Sequence, residues 1–175
     1  MDPRSIGFVA GTMIGVILVV LLFKFANKDG KIKTEYDERQ NAVRGKAYKY
    51  ALYTEVAAQA VVMWLMMTNI ELPIEDYGLV FIAIIIGLTV LAAYCIWKDV
   101  YWGLNNNRKR YHIILLVAVI LNFFPVVMNI KMGTLMENGK IGMSLFNIVV
   151  LAMMAVVHIE LVIKAIVDKK ADEEG

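Results

Sequence analysis

Five apolar runs constrain this chain more than any other feature of it. They are residues 6–23, 50–70, 79–97, 113–130 and 143–166. A helix needs about 20 apolar residues to cross a hydrocarbon core of ~30 Å. A barrel strand needs only ~10, in strict alternation, and these runs do not alternate. In lipid every backbone polar group must be paired, which a helix does within itself. The expectation is an all-α fold, a polytopic transmembrane helical bundle of five spans. Composition agrees, because the chain is 59% hydrophobic and 19% charged, where a soluble domain carries ~25% charged residues. The connections are short, so residues 1–175 read as a single membrane domain without internal repeats.

Charge placement turns the span count into an orientation. Fifteen of the eighteen Lys and Arg residues lie in the first loop, the third loop and the C-terminal end. Only Arg4, Lys131 and Lys140 fall on the other side. The positive-inside rule puts the rich side in the cytoplasm, giving an N-out, C-in chain in a cell membrane of bacterial type. Losing one span would scramble this split, so the split supports five. Cleavage of the first run as a signal peptide would leave Lys24, Lys28, Lys31 and Lys33 outside, so it reads as a retained anchor. Tyr48, Tyr50, Tyr53, Trp97, Tyr101, Trp102 and Tyr111 cluster at the same predicted interface.

The first loop carries the most distinctive residues. Thr34 to Asp37 has the spacing of a helix-starting capping box, so residues 34–49 are expected to form a cytoplasmic helix continuous with the second span. Tyr36, Gln40, Val43, Ala47, Tyr50 and Thr54 recur at helical steps, a stripe suited to packing on another helix. Tyr36, Asp37, Glu38, Arg39 and Gln40, followed by Arg44, Gly45, Lys46 and Ala47, resemble the juxtamembrane motif of small bacterial multi-span membrane proteins of uncharacterised function. The resemblance covers about a dozen residues and the hydropathy layout, and brings no known activity. Such proteins are often encoded beside small helix-turn-helix regulators, which implies a sensing or regulatory context. Tyr36, Asp37, Glu38, Arg39, Gln40, Arg44 and Lys46 are therefore candidates for docking a partner. The same charges also suit a solvated face anchoring a helix at the lipid surface.

Polar groups inside the spans are the other candidates, because a charge at mid-membrane costs ~2.5–3.5 kcal/mol on insertion scales. Glu55 and Gln59 share a face of the second span, Asn122 precedes Pro125 in the fourth, and His158 lies in the fifth. By depth, Glu55 and His158 can meet in the cytoplasmic leaflet, with Gln59 and Asn122 near. Such a cluster is either a proton-linked or ligand-binding site or a hydrogen-bonded staple between helices. Glu160 stands four residues before Lys164, the favourable order for an ion pair along one helix. Gly7, Gly11 and Gly15 form a tandem G-x-x-x-G, read as a helix-packing face.

Several chemistries find no support. There is no P-loop, no H-E-x-x-H and no G-x-S-x-G. His112, His158 and Cys95 are the only soft ligands, so neither a metal nor another cofactor is expected. Arg108, Lys109 and Arg110, after Asn105 to Asn107, read as a topological anchor or a weak contact for anionic lipid heads, not a nucleic-acid site. The chain is thus expected to be a non-enzymatic membrane protein with a regulatory or interaction role. Its partners would be the lipid bilayer and a homo-oligomer or another membrane or cytosolic protein. A small transporter or channel subunit is the alternative.

Overall fold

The structure is a computed structural model. It describes residues 9, 10, 13–68, 70–136 and 138–173 in full, and the backbone of 3–8, 11, 12, 137 and 174. Among the described residues the chain forms helices α1 (Pro3–Ala26), α2 (Glu38–Met67), α3 (Asp76–Trp97), α4 (Arg108–Met132) and α5 (Ser144–Glu174). Strands β1 (Met136–Glu137) and β2 (Lys140–Ile141) stand between the last two helices. α2, α3, α4 and α5 are each long and apolar enough to cross a membrane, and α1 is apolar over Met13–Ala26. The chain divides into two compact units, Met1–Asp37 with Trp102–Leu116, and Glu38–Tyr101 with Val117–Gly175.

In the second unit α3 is the central helix, packed on α2 and on α5. Small residues make the close approaches, as expected where no hydrophobic effect drives helices together. A Cβ added at Gly87 would lie 3.0 Å from the Cβ of Glu55 and 3.3 Å from the Ala51 carbonyl oxygen. A Cβ at Gly78 would run into the side chain of Leu145. Phe146 fills the α3–α5 contact, its ring 4.6 Å from Phe81 and 5.8 Å from Tyr77. At the other end of α3, Ala47, Cys95 and Val100 form a buried cluster with Val43, Leu91, Tyr94 and Tyr101 around it. α4 has no buried residue, and Ile113, Leu116, Ile120, Leu121, Phe123 and Phe124 are exposed along it. A helix apolar on every side suits a hydrocarbon solvent.

Two helices end in the same way with different residues. After α4, Gly133 takes φ 67°, its N–H bonds the Ile130 carbonyl, and Thr134 N–H bonds the Asn129 carbonyl. After α3, Asp99 takes φ 58°, its N–H bonds the Ile96 carbonyl, and Val100 N–H bonds the Cys95 carbonyl. Both are Schellman closures, a place where glycine is the usual residue. The α4–α5 connection then forms a hairpin pairing Met136 with Ile141 and Glu137 with Lys140. Its turn is Asn138-Gly139, both at positive φ, the sequence that a two-residue I′ turn favours. Ile141 N–H also bonds the Pro73 carbonyl at 2.9 Å, which joins this hairpin to the α2–α3 connection.

The expected helix over residues 34–49 needs a correction at its start. α2 begins at Glu38, not at Thr34 or Glu35. The backbone of Glu35 is engaged elsewhere: its N–H bonds Asn105 Oδ1 at 2.9 Å and its carbonyl accepts from Leu104 N–H at 2.8 Å. Asp37 stands immediately before the first helical residue. The second span also ends early, at Met67, where the Thr68 hydroxyl turns back to the Leu65 carbonyl at 2.7 Å.

Candidate functional site

The first unit is held by three asparagines, none of them an expected site residue. Backbone pairing brings Asn27, just past α1, against Asn106, just before α4. Lys28 N–H bonds the Asn105 carbonyl at 2.7 Å, and Asn107 N–H bonds the Ala26 carbonyl at 3.0 Å. The side chains complete the seam. Asn106 Nδ2 donates to Asn27 Oδ1 at 2.7 Å, and Asn27 Nδ2 donates to the Lys31 carbonyl at 2.8 Å. Asn105 Nδ2 reaches both carboxylate oxygens of Asp29 at 3.2 Å and the Lys33 carbonyl at 3.0 Å. Asn27, Asn105 and Asn106 are all buried, and each has its amide satisfied, which is what burial of a polar group requires. Asn107 caps α4, accepting from Arg110 N–H at 3.3 Å.

Gly103 allows this closeness. A Cβ there would collide with the Thr34 methyl and lie 2.7 Å from the Glu35 carbonyl oxygen. Arg110 finishes the end of α1: its guanidinium donates to the Phe25 carbonyl at 3.0 Å and lies 5.1 Å from that residue's ring centroid. A cation at a helix C-terminus is favoured by the macrodipole. Lys31 bridges Glu35 at 2.8 Å and Asp29 at 3.6 Å. The Lys31 backbone N–H, bonded to Asp29, lowers that carboxyl below its ordinary value, opposed by desolvation and assisted by the Asn105 amide. The Glu35 carboxylate raises the Lys31 ammonium above its ordinary value.

The docking candidates divide by face. Gln40 is buried and Tyr36 and Arg44 are half-buried, while Asp37, Glu38, Arg39 and Lys46 are exposed. Arg44 donates to the Val100 carbonyl at 3.3 Å and to the Tyr48 hydroxyl at 3.0 Å. Its guanidinium thus holds the turn that closes α3. Of the expected stripe, Gln40, Val43 and Ala47 do face the packed side, Ala51 joins them, and Tyr50 rests 5.3 Å from the Tyr94 ring.

The intramembrane candidates bond mostly to backbone carbonyls. Gln59 Nε2 reaches the Val80 carbonyl of α3 at 3.4 Å. Asn122 Nδ2 donates to the Ala118 carbonyl and His158 Nδ1 lies against the Met154 carbonyl, each 2.8 Å away and within its own helix. Glu55 faces Gly87. Among the described residues, no hydrogen bond joins one of these four to another. The expected Glu160–Lys164 pair is not made, because Lys164 pairs with Asp99 at 3.0 Å and with Asp168. Glu160 Oε2 is enclosed with no hydrogen-bond partner among the described residues. Gly15 meets open space, and Gly7 and Gly11 lie outside the residues described in full. No group of three His, Cys, Asp or Glu residues among the described ones is placed to hold a metal.

The asparagine seam, Gly103, the Asn138-Gly139 hairpin and the Asp99 closure were missed by sequence reasoning. Asn-Gly between short apolar stretches was the visible signal for the hairpin. Three consecutive Asn before a helix signalled turn and cap chemistry, but not their partner. Compared with family models, curated proteins and solved structures, the chain matches none.

Proposed function

We propose that the chain is an integral membrane protein with five spans, N-out and C-in, that acts through interaction rather than catalysis. Loop pairing supports the alternation of spans, and the Lys and Arg distribution supports the orientation. The α1–α2 and α3–α4 connections, rich in basic residues, bond to each other through the asparagine seam. The α2–α3 and α4–α5 connections bond to each other through Pro73 and Ile141. Connections bonded in this way lie on one side, as alternating spans place them.

The length of α2 carries the functional reading. Thirty residues extend about 45 Å, and a hydrocarbon core takes ~30 Å. The excess is polar and lies at the N-terminal end, over Glu38 to Lys49. Its inner face is committed to Gln40, Arg44 and Ala47, and its outer face offers Glu38, Arg39 and Lys46. A rigid helix braced from behind, with mixed charges outward, is a docking element for a membrane or cytosolic partner, in keeping with the regulatory setting that the Tyr36–Gln40 motif implies. Photo-crosslinking from positions 39 and 46 in native membranes tests this. A discrete adduct there, absent from the apolar α2 position Val61, is expected. The same adducts from all three positions would overturn it.

A small transporter or channel subunit is the second reading. It rests on Glu160, one carboxylate oxygen of which is enclosed without a hydrogen-bond partner among the described residues, together with Glu55, Gln59, Asn122 and His158 on the spans. Proton flux into liposomes, lost in Glu55→Gln or Glu160→Gln, would favour it over docking.

A further inference from the structure

Six basic residues lie within four positions of the Asn27–Asn106 bridge: Lys24, Lys28, Lys31, Arg108, Lys109 and Arg110. Two are already engaged, Lys31 by Asp29 and Glu35, and Arg110 by Phe25. The other four, Lys24, Lys28, Arg108 and Lys109, are exposed and have no carboxylate partner among the described residues. The nearby carboxylates are not available to them, since Asp29 and Glu35 hold Asn105 and Lys31.

We infer that this seam binds the phosphate headgroup of an anionic phospholipid. The order of chemistry along both helices supports lipid over an acidic protein. Leu21, Leu22 and Phe23 of α1 and Ile113 and Leu116 of α4 are exposed apolar side chains. On α4 Tyr111 follows within one turn and then Arg110, Lys109 and Arg108, with Arg108 6.0 Å from the ring centroid of Trp102, while at the end of α1 Phe25 stands between Lys24 and Lys28. Apolar, aromatic and cationic layers in that order on α4, and an apolar run ending in interleaved aromatic and cationic residues on α1, match hydrocarbon, interface and headgroup. The asparagine seam fixes the two loops together, so the four cations are presented from a built platform instead of two separate flexible loops. The platform shares no residue with the docking surface on α2. It does rest on the membrane reading.

The test uses the full chain purified in neutral detergent, with Tm followed as phosphatidylglycerol is titrated. Flotation with vesicles is scored separately, so failure of the membrane reading is seen on its own. A saturating rise in Tm is expected. Each basic residue near the surface contributes about five-fold in affinity, so R108Q/K109Q should weaken the half-saturation point roughly 25-fold. K24Q/K28Q should do the same and serves if the first variant does not fold. K169Q/K170Q, at the far end of α5, should leave it unchanged. No rise in Tm for protein that floats with vesicles, equal loss in K169Q/K170Q, or an equal rise with free glycerol phosphate would each overturn the inference.

Discussion

Asp99 Oδ1 stands 3.0 Å from Lys164 Nζ, joining the turn that closes α3 to the final turns of α5. The same Asp99 holds a left-handed conformation, φ 58°, that the α4 closure assigns to glycine. One residue therefore carries a favourable ion pair and an unfavourable backbone.

A double-mutant cycle separates these effects. Left-handed backbone costs a non-glycine residue ~1 kcal/mol, somewhat less for Asp. An ion pair with one exposed partner contributes up to about 1 kcal/mol. Asp99→Gly should therefore be close to neutral in the native chain and stabilising in a Lys164→Gln background. Thermal unfolding in detergent reads both. Equal effects in the two backgrounds would remove the ion pair from the account.

Gly103→Ala should destabilise the first unit by roughly 1–3 kcal/mol, the usual cost of overpacking. The added methyl meets both the Thr34 side chain and the Glu35 carbonyl. Thr34→Ser removes only the first of these, so it should restore part of the loss. Limited proteolysis between residues 27 and 37 measures the opening. Full restoration by Thr34→Ser would show that the Glu35 carbonyl is not a constraint.

Acid should loosen the same loop. The Asp29 carboxyl is lowered in the fold, so its contribution is complete above its unfolded value near 3.8 and is lost as pH falls through the lower folded value. The Lys31 ammonium is raised, so its contribution is complete below 10.5 and is lost only as pH rises past the folded value. Hydrogen-exchange protection at residues 27–35, corrected for the intrinsic rate at each pH, should stay flat across neutrality and fall under strong acid. Asp29→Asn should abolish that acid step and leave the alkaline one.

The helices were legible because hydropathy is written locally, residue after residue. Every expected span falls on an observed helix, apart from the last residues of the second and Met143 at the start of the fifth. The start of α2 was misplaced for a non-local reason. Thr34 to Asp37 has capping-box spacing, yet Glu35 gives its backbone to Leu104 and Asn105, some seventy residues away. Asn27 and Asn106 likewise acquire meaning only from each other. Glu160 and Lys164 show a competition that spacing alone does not rank, since Asp99 and Asp168 take the lysine.

Loop pairing makes the orientation testable with two single cysteines. Lys33 belongs to the α1–α2 connection and Met143 to the α4–α5 connection, and both are exposed. Cys95, the one native cysteine, is buried in the Ala47–Val100 cluster, and Cys95→Ala removes it at the cost of a small cavity. In that background a membrane-impermeant maleimide applied to intact cells should label Met143→Cys and spare Lys33→Cys. Permeabilised cells should label both. The reverse pattern would invert the topology while leaving five spans, because the pairing of the connections constrains their sides only relative to each other. Labelling of both positions in intact cells would place the two loops on one side, and with it the alternation of spans would fall.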